Sequence, residues 1–171
     1  VYTSVIELIK NRAQSPDTNQ IYFSVRNTSD VRVRPFSGFV PTANKWYNIV
    51  GTYDGNNVSL YFNGTLAQSL PQTGDTYNTG PLEIGSVHWF NTTYGNNFDG
   101  QISNVQYFNT ALPEIGSNSV ETLYNNVTPL SDMSSFTSLV SWWKLNNTTT
   151  GIQDSKGSNN GTNSGATEYP G

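Results

Sequence analysis

The sequence predicts an all-β fold, an antiparallel β-sandwich, on three observations. Short runs rich in β-branched and aromatic residues recur along the 171 residues, a composition that fits a pleated, half-buried surface. Turn-forming residues separate them, as at Asp54-Gly55-Asn56-Asn57, Asn63-Gly64 and Gly74-Asp75, which tolerate tight-turn dihedrals. Within a run the apolar residues keep a period of two, as with Val58, Leu60 and Phe62 against Ser59 and Tyr61, so that one face of a strand is apolar.

Residues 1–10 supply apolar mass for a first strand through Val5, Ile6, Leu8 and Ile9, and Ser15-Pro16-Asp17 marks a turn. Ile21, Phe23 and Val25 then alternate with Tyr22, Ser24 and Arg26, and residues 27–30 lead into Val31-Arg32-Val33-Arg34. The two runs predict a hairpin with Arg32 and Arg34 on its wetter face. An arginine stripe also suits an anion, but a solvated sheet face explains it as well.

Residues 45–64, KWYNIVGTYDGNNVSLYFNG, form the centre of the prediction. The run WYNIVGTY fits a well-covered strand, and 58–62 a second. Asn63-Gly64 is the strongest short hairpin signal, with Leu66 and Leu70 beyond it. A three-stranded meander is expected. Residues 72–80 form a loop, 82–86 a short strand, 86–97 (SVHWFNTTYGNN) a long loop, and 101–109 a further strand with Val105 and Tyr107 on one face. The spacing of Ile115, Val120, Leu123 and Tyr124 suggests a short helix or two turns within 113–124, weakened by Gly116 and the serines. A polar connector follows to residue 137, and then the run LVSWWKL at 139–145. Trp46, Trp142 and Trp143 each sit in a strand pattern and are expected in the core.

Four motifs then occur in order: WYNIVGTYDG followed by a strand ending FNG, GPLEIG at 80–85, FDGQISNVQYFN at 98–109, and ALPEI at 111–115 with Leu123-Tyr124. Together they resemble the laminin-G/concanavalin A-like jelly-roll modules over roughly residues 46–124. One departure is Ser103-Asn104, where those modules usually carry an acidic pair. A second resemblance begins at residue 139: LVSWWKLNN, then GIQDSKG, then Gly161-Thr162, similar to the opening of another such module. Residues 1–130 therefore read as a laminin-G-like module lacking its opening strand. Residues 131–171 read as a connector plus the opening strand of a second, truncated or permuted module. A tandem array is favoured over a permuted module, because Gly171 ends the second module before its later strands.

Composition excludes several function classes. Lys and Arg total 8 against 12 Asp and Glu, for a net charge of −4, so no basic field attracts nucleic acid or anionic lipid. Charged residues are 12% of the chain while Asn, Ser and Thr number 61, an amide- and hydroxyl-covered surface. An aromatic content of 13% argues against disorder. With no cysteine, neither disulfides nor thiolate chemistry arise. No apolar run approaches the ~20 residues a membrane helix needs. The run VYTSVIELIK lacks a basic leader and a small-residue cleavage site, and the chain is expected to be a fragment of something longer.

No catalytic constellation stands out. His88 is the single histidine, without a GxSxG nucleophile nearby for a triad or partner ligands for zinc. Glycosidases on this kind of sandwich need two carboxylates about a sugar bond, and the ExDxE cluster of related glycosidases is missing. The chain is expected not to be an enzyme. The resemblance does raise Ca²⁺, with Asp54 and Asp99 as candidate oxygen ligands, though an Asp-Gly turn accounts for each without metal. Trp89, Tyr94, Asn91 and Asn96 in the long loop are candidate ligand-binding residues, with Phe90 beside them: rings stack on the C–H face of a pyranose and amides bond its hydroxyls. Covering a sandwich edge is the competing role for those rings.

The resemblance extends to laminin-G-like repeats of marine bacteriophage virion proteins. It implies a non-catalytic recognition or structural module for capsid decoration, fibre or adhesion, at the virion surface or otherwise extracellular. Its partners would be other virion subunits, neighbouring repeats or cell-surface glycans. A carbohydrate-binding module of a bacterial surface or secreted protein is the alternative, and a sandwich glycosidase the third.

Overall fold

Turn chemistry and two-residue periodicity produce a fold in which, among the described residues, every strand pairing is antiparallel. The structure, a computed structural model, describes residues 9–10, 20–76, 81–88, 94–95 and 98–168. The chain divides into two units, Val1–Phe98 with Thr110–Leu130 and Asp99–Asn109 with Ser131–Gly171.

In the first unit β1 (Ile9–Lys10) pairs with β2 (Ile21–Tyr22). The expected hairpin forms between β3 (Val25–Arg26) and β4 (Arg32–Val33), with Val25 opposite Val33. Its turn is organised by the buried Asn27. The Asn27 Oδ1 accepts from the Ser29 and Val31 N–H groups at 3.1 and 2.9 Å, and Nδ2 donates to the Thr73 carbonyl at 2.9 Å. Here one side-chain amide replaces the ladder bonds that the turn interrupts. Arg32 and Arg34 are exposed, as the alternation predicts.

The meander follows: β5 (Ile49–Tyr53), β6 (Asn57–Phe62) and β7 (Thr65–Pro71), in the order β5-β6-β7. Asn63 and Gly64 take φ of 48° and 78°, the left-handed pair a two-residue type I′ turn requires. Val58, Leu60 and Phe62 face a core completed by Phe23 and Val25, with Ile21, Val33, Tyr47, Ile49 and Tyr53 packed around it. Gly51 lies opposite Leu60, and a Cβ there would come within 2.5 Å of the Phe23 ring. The missing side chain is the slot that Phe23 fills. The other face of β6 is closed too: Ser59 and Tyr61 are buried, and the Ser59 and Ser69 hydroxyls lie 2.8 Å apart across the ladder.

Two expected elements move. Residues 82–86 are not a strand; pairing comes just after them, between β8 (Val87–His88) and β9 (Tyr94–Gly95), inside the expected long loop. Pro81 has no N–H for a ladder, and the chain turns at Gly85 (φ 80°), leaving Leu82 and Ile84 exposed. The helix expected within 113–124 is confined to α1 (Val120–Tyr124). Ser119 caps it, accepting the Thr122 N–H at 3.1 Å. Val120 and Leu123 are buried as expected, but Ile115 is 71% exposed, on the turns that Gly116 (φ 100°) introduces before the helix.

In the second unit β10 (Val105–Phe108) pairs with β11 (Leu139–Trp143), Val105 opposite Trp143 and Phe108 opposite Leu139. The strand is shorter than expected because Asn104 takes φ 54°, which ends the extended run. Trp142 and Trp143 are core residues, each 7% exposed, with their indole N–H groups donating to Asn104 Oδ1 at 3.2 Å and to the Asn159 carbonyl at 2.7 Å. The loop after β11 is tied back by Asp154. Its Oδ1 accepts from the Trp142 and Lys156 N–H groups, both at 2.9 Å, and its Oδ2 from Asn159 N–H at 3.1 Å. That carboxylate blunts an edge of β11 which would otherwise offer free donors.

Candidate recognition surface

Trp46 is not in the core. It is 55% exposed, and the two-residue period carried back from β5 explains why. Tyr47, Ile49 and Tyr53 pack on the core cluster, so Trp46, one residue out of phase, faces away. The signal was in the sequence, but the aromatic character of the whole run obscured its phase.

Trp46 belongs to a segment, residues 36–48, that is held from several sides. The Phe36 N–H donates to Gln68 Oε1 at 2.7 Å, the Ser37 N–H to the Ile21 carbonyl at 2.8 Å, and the Gly38 N–H to Gln20 Oε1 at 2.8 Å. The Thr42 N–H donates to the Tyr47 hydroxyl oxygen at 3.0 Å, and this donor holds the Tyr47 phenol below its ordinary pKa. Phe39, 40% exposed, rests edge-on against Phe62 at 5.0 Å and tilted against Tyr47 at 6.0 Å between ring centroids. Val40 is exposed as well. The segment presents an exposed indole, a half-exposed phenyl backed by the core, and the exposed polar groups of Thr42, Asn44 and Lys45.

Trp89, Asn91 and Asn96 lie outside the described residues, as does Phe90. Tyr94 stands in β9 opposite His88 in β8. Asp54 turns its carboxylate onto its own loop, Oδ1 accepting from the Asn56 and Asn57 N–H groups at 2.8 and 2.7 Å. Asp99 is exposed beside Phe98. Among the described residues, no group of three or more His, Cys, Asp or Glu side chains is placed to hold a metal ion.

The displaced carboxylates all move the same way. Desolvation pushes Asp54 up, but the N–H groups of Asn56 and Asn57 outweigh it and hold it below the usual range. At Asp154 desolvation is again outweighed, by the N–H groups of Gly157, Trp142 and Lys156 and the Ser141 hydroxyl, which bring the pKa down to about 2. Backbone and hydroxyl donors of Ser134 lower Asp132, and those of Thr148 lower Glu168. A general acid needs the opposite displacement. These carboxylates hold loops in place.

The laminin-G model described as the concanavalin A-like lectin/glucanases superfamily matches residues 10–114. No curated protein and no solved structure matches the chain. The matched stretch runs from β1 through β10 and covers more than half of the 171 residues. With its antiparallel all-β architecture, the chain belongs to the concanavalin A-like lectin/glucanase superfamily and is an antiparallel β-sandwich.

Proposed function

We propose that this chain is a non-catalytic recognition module that binds glycans through the segment 36–48. The observation that carries the reading is the exposure of Trp46 on a segment pinned by hydrogen bonds at Phe36, Ser37, Gly38 and Thr42. Phe39, Val40 and Trp46 are all exposed on this one segment, and exposed apolar surface gathered in one place marks a binding site; a preorganised ring also binds with little ordering cost. A pyranose presents an apolar C–H face to the indole, while Asn44, Thr42 and Lys45 offer groups for its hydroxyls. The lowered pKa values of Asp54, Asp132, Asp154 and Glu168 support binding without turnover.

The test is a glycan array followed by calorimetry on the best ligand. Trp46→Ala should weaken binding by about 1–3 kcal/mol, by analogy with base stacking on aromatic platforms, and leave the melting temperature nearly unchanged. Binding that survives Trp46→Ala, or a large loss of thermal stability in that variant, removes the segment as the site. Hydrolysis of a bound glycan by the purified chain contradicts the non-catalytic part.

The setting we propose is a bacteriophage virion surface, as capsid decoration, fibre or adhesion module beside other virion subunits or neighbouring repeats. The resemblance of residues 139–162 to the opening of a further module supports it, together with a surface dominated by Asn, Ser and Thr. Mass spectrometry of purified particles decides. Recovery of the chain from a bacterial surface or secreted fraction instead favours a carbohydrate-binding module of the bacterium.

A further inference from the structure

The second unit contains a cleft that plays no part in the reading above. It is a space of about 230 Å³ lined by Ser131, Asp132, Met133, Ser134, Leu139, Trp142, Ser155 and Lys156. Three of these, Met133, Leu139 and Trp142, are buried apolar side chains and make its floor. The polar groups come from two separate stretches of chain on either side of β11. Both stretches are anchored. On one side Asp132 Oδ1 accepts from the Ser134 N–H at 2.8 Å and Oδ2 from the Ser134 hydroxyl at 3.1 Å, while the Phe136 N–H donates to the Met133 carbonyl and the Leu139 N–H to the Phe136 carbonyl, both at 3.1 Å. On the other side the Ser155 N–H donates to the Trp142 carbonyl at 2.7 Å, and the Lys156 N–H to Asp154 Oδ1 at 2.9 Å.

The cleft thus carries one carboxylate and one ammonium over an apolar floor. Asp132 and Lys156 line the same space, yet the ion pair found among the described residues is Arg26 with Asp30, so the two charges do not neutralise each other by direct contact. Both side chains keep hydrogen-bonding capacity that a ligand can use: the carboxylate has about four lone-pair sites and the ammonium three donors. The volume lies below the ~300–1,000 Å³ usual for drug-sized ligands, which limits the occupant to a small molecule.

We propose that this cleft binds a small zwitterion with an apolar body, the chemistry of a free apolar amino acid. Its ammonium faces Asp132, its carboxylate faces Lys156, and its apolar body rests on Met133, Leu139 and Trp142. The charge pattern favours this over a neutral ligand, which would pair with neither the carboxylate nor the ammonium. It also favours it over a simple anion or cation, which would meet one charge of its own sign.

The test titrates the full chain with leucine, N-acetylleucine and leucinamide, read by calorimetry and by amide chemical shifts. The two derivatives each lack one of the ligand charges. Leucine should bind in the millimolar range or tighter and shift resonances of Ser134, Trp142 and Lys156, with both derivatives about tenfold weaker or more. Asp132→Asn should abolish the preference over N-acetylleucine, and Lys156→Met the preference over leucinamide. Both side chains are exposed, so neither variant should lose its fold. Absence of leucine binding at millimolar concentration, equal binding of the three molecules, or discrimination kept in both variants overturns the proposal. The three-ligand comparison on the unmodified chain stands whether or not the variants fold, and failure here leaves the glycan reading at Trp46 untouched.

Discussion

Replacing Gly51 with alanine tests the packing of the first unit most directly. The added Cβ would lie 2.5 Å from Phe23 Cδ2, 2.5 Å from Cγ and 2.8 Å from Cδ1, more than half an ångström inside the ~3.5–4.0 Å optimum for carbon pairs. Cγ is the root of the ring, so the clash cannot be relieved by swinging a flexible tip aside. Phe23 is 1% exposed and packs with Val25, Val58, Leu60 and Phe62, so the ring has no open direction in which to retreat. Overpacking of this kind costs about 1–3 kcal/mol. The entropy that alanine removes from the unfolded chain offsets roughly 0.4–1 kcal/mol. A net loss of about 1 kcal/mol follows, measurable as a lower urea midpoint at unchanged slope. Phe23→Leu should open the slot, so the double variant should be more stable than the two single losses predict, with a coupling of about 0.5–3 kcal/mol. A Gly51→Ala chain as stable as the parent, or strictly additive losses, would refute the packing argument.

Two further outcomes follow from hydrogen bonds at loop and helix ends. Asp154 titrates at about 2 in the folded chain, below the ordinary aspartate range; its contribution is therefore complete above pH ~4 and lost as pH falls towards ~2. The unfolding free energy from urea curves across that range should drop for the parent by no more than about 2 kcal/mol after solvent screening, and the drop should shrink in Asp154→Asn, which also turns an amide NH₂ towards backbone donors and is less stable at neutral pH. Ser119→Ala removes the cap of α1, where the Oγ is the acceptor for the Thr122 N–H, and should cost about 1 kcal/mol; an unchanged melting temperature would show that α1 is held by Val120 and Leu123 alone.

Where local chemistry and tertiary packing ask for the same thing, the fold is legible in the sequence. Asn63-Gly64 specifies its turn by backbone dihedrals that few residues tolerate, and Val58, Leu60 and Phe62 specify a face by period. Where the two diverge, it is not. Leu82 and Ile84 have the alternation of a strand, but Pro81 and the turn at Gly85 deny them a ladder, and both are exposed. Ile115 has helical spacing from Leu123, yet the chain turns at Gly116 before the helix begins. Trp46 failed differently. It opens the β-branched and aromatic run WYNIVGTY, so composition assigned the whole run to the core, while phase alone assigns Tyr47 inward and Trp46 outward.

The cleft was illegible for a further reason: its walls are separated in sequence and neither carries a binding motif. Ser131, Asp132 and Ser134 read as polar connector, and Ser155-Lys156 as part of the GIQDSKG stretch that resembles the opening of a further module. What joins them is β11, which pairs with β10 and places Leu139 and Trp142 beneath both stretches. The family match ends at Glu114, but the strand that completes the ladder of β10 lies beyond it, and the buried side chains Met133, Phe136, Leu139, Trp142 and Trp143 come from there as well. Phe136 meets Phe108 of β10 with ring centroids 5.7 Å apart. The family match therefore takes in β10 but not the strand that it pairs with. Removing the residues after Leu130 would strip β10 of its partner strand and its aromatic cover at once, leaving open backbone donors and acceptors.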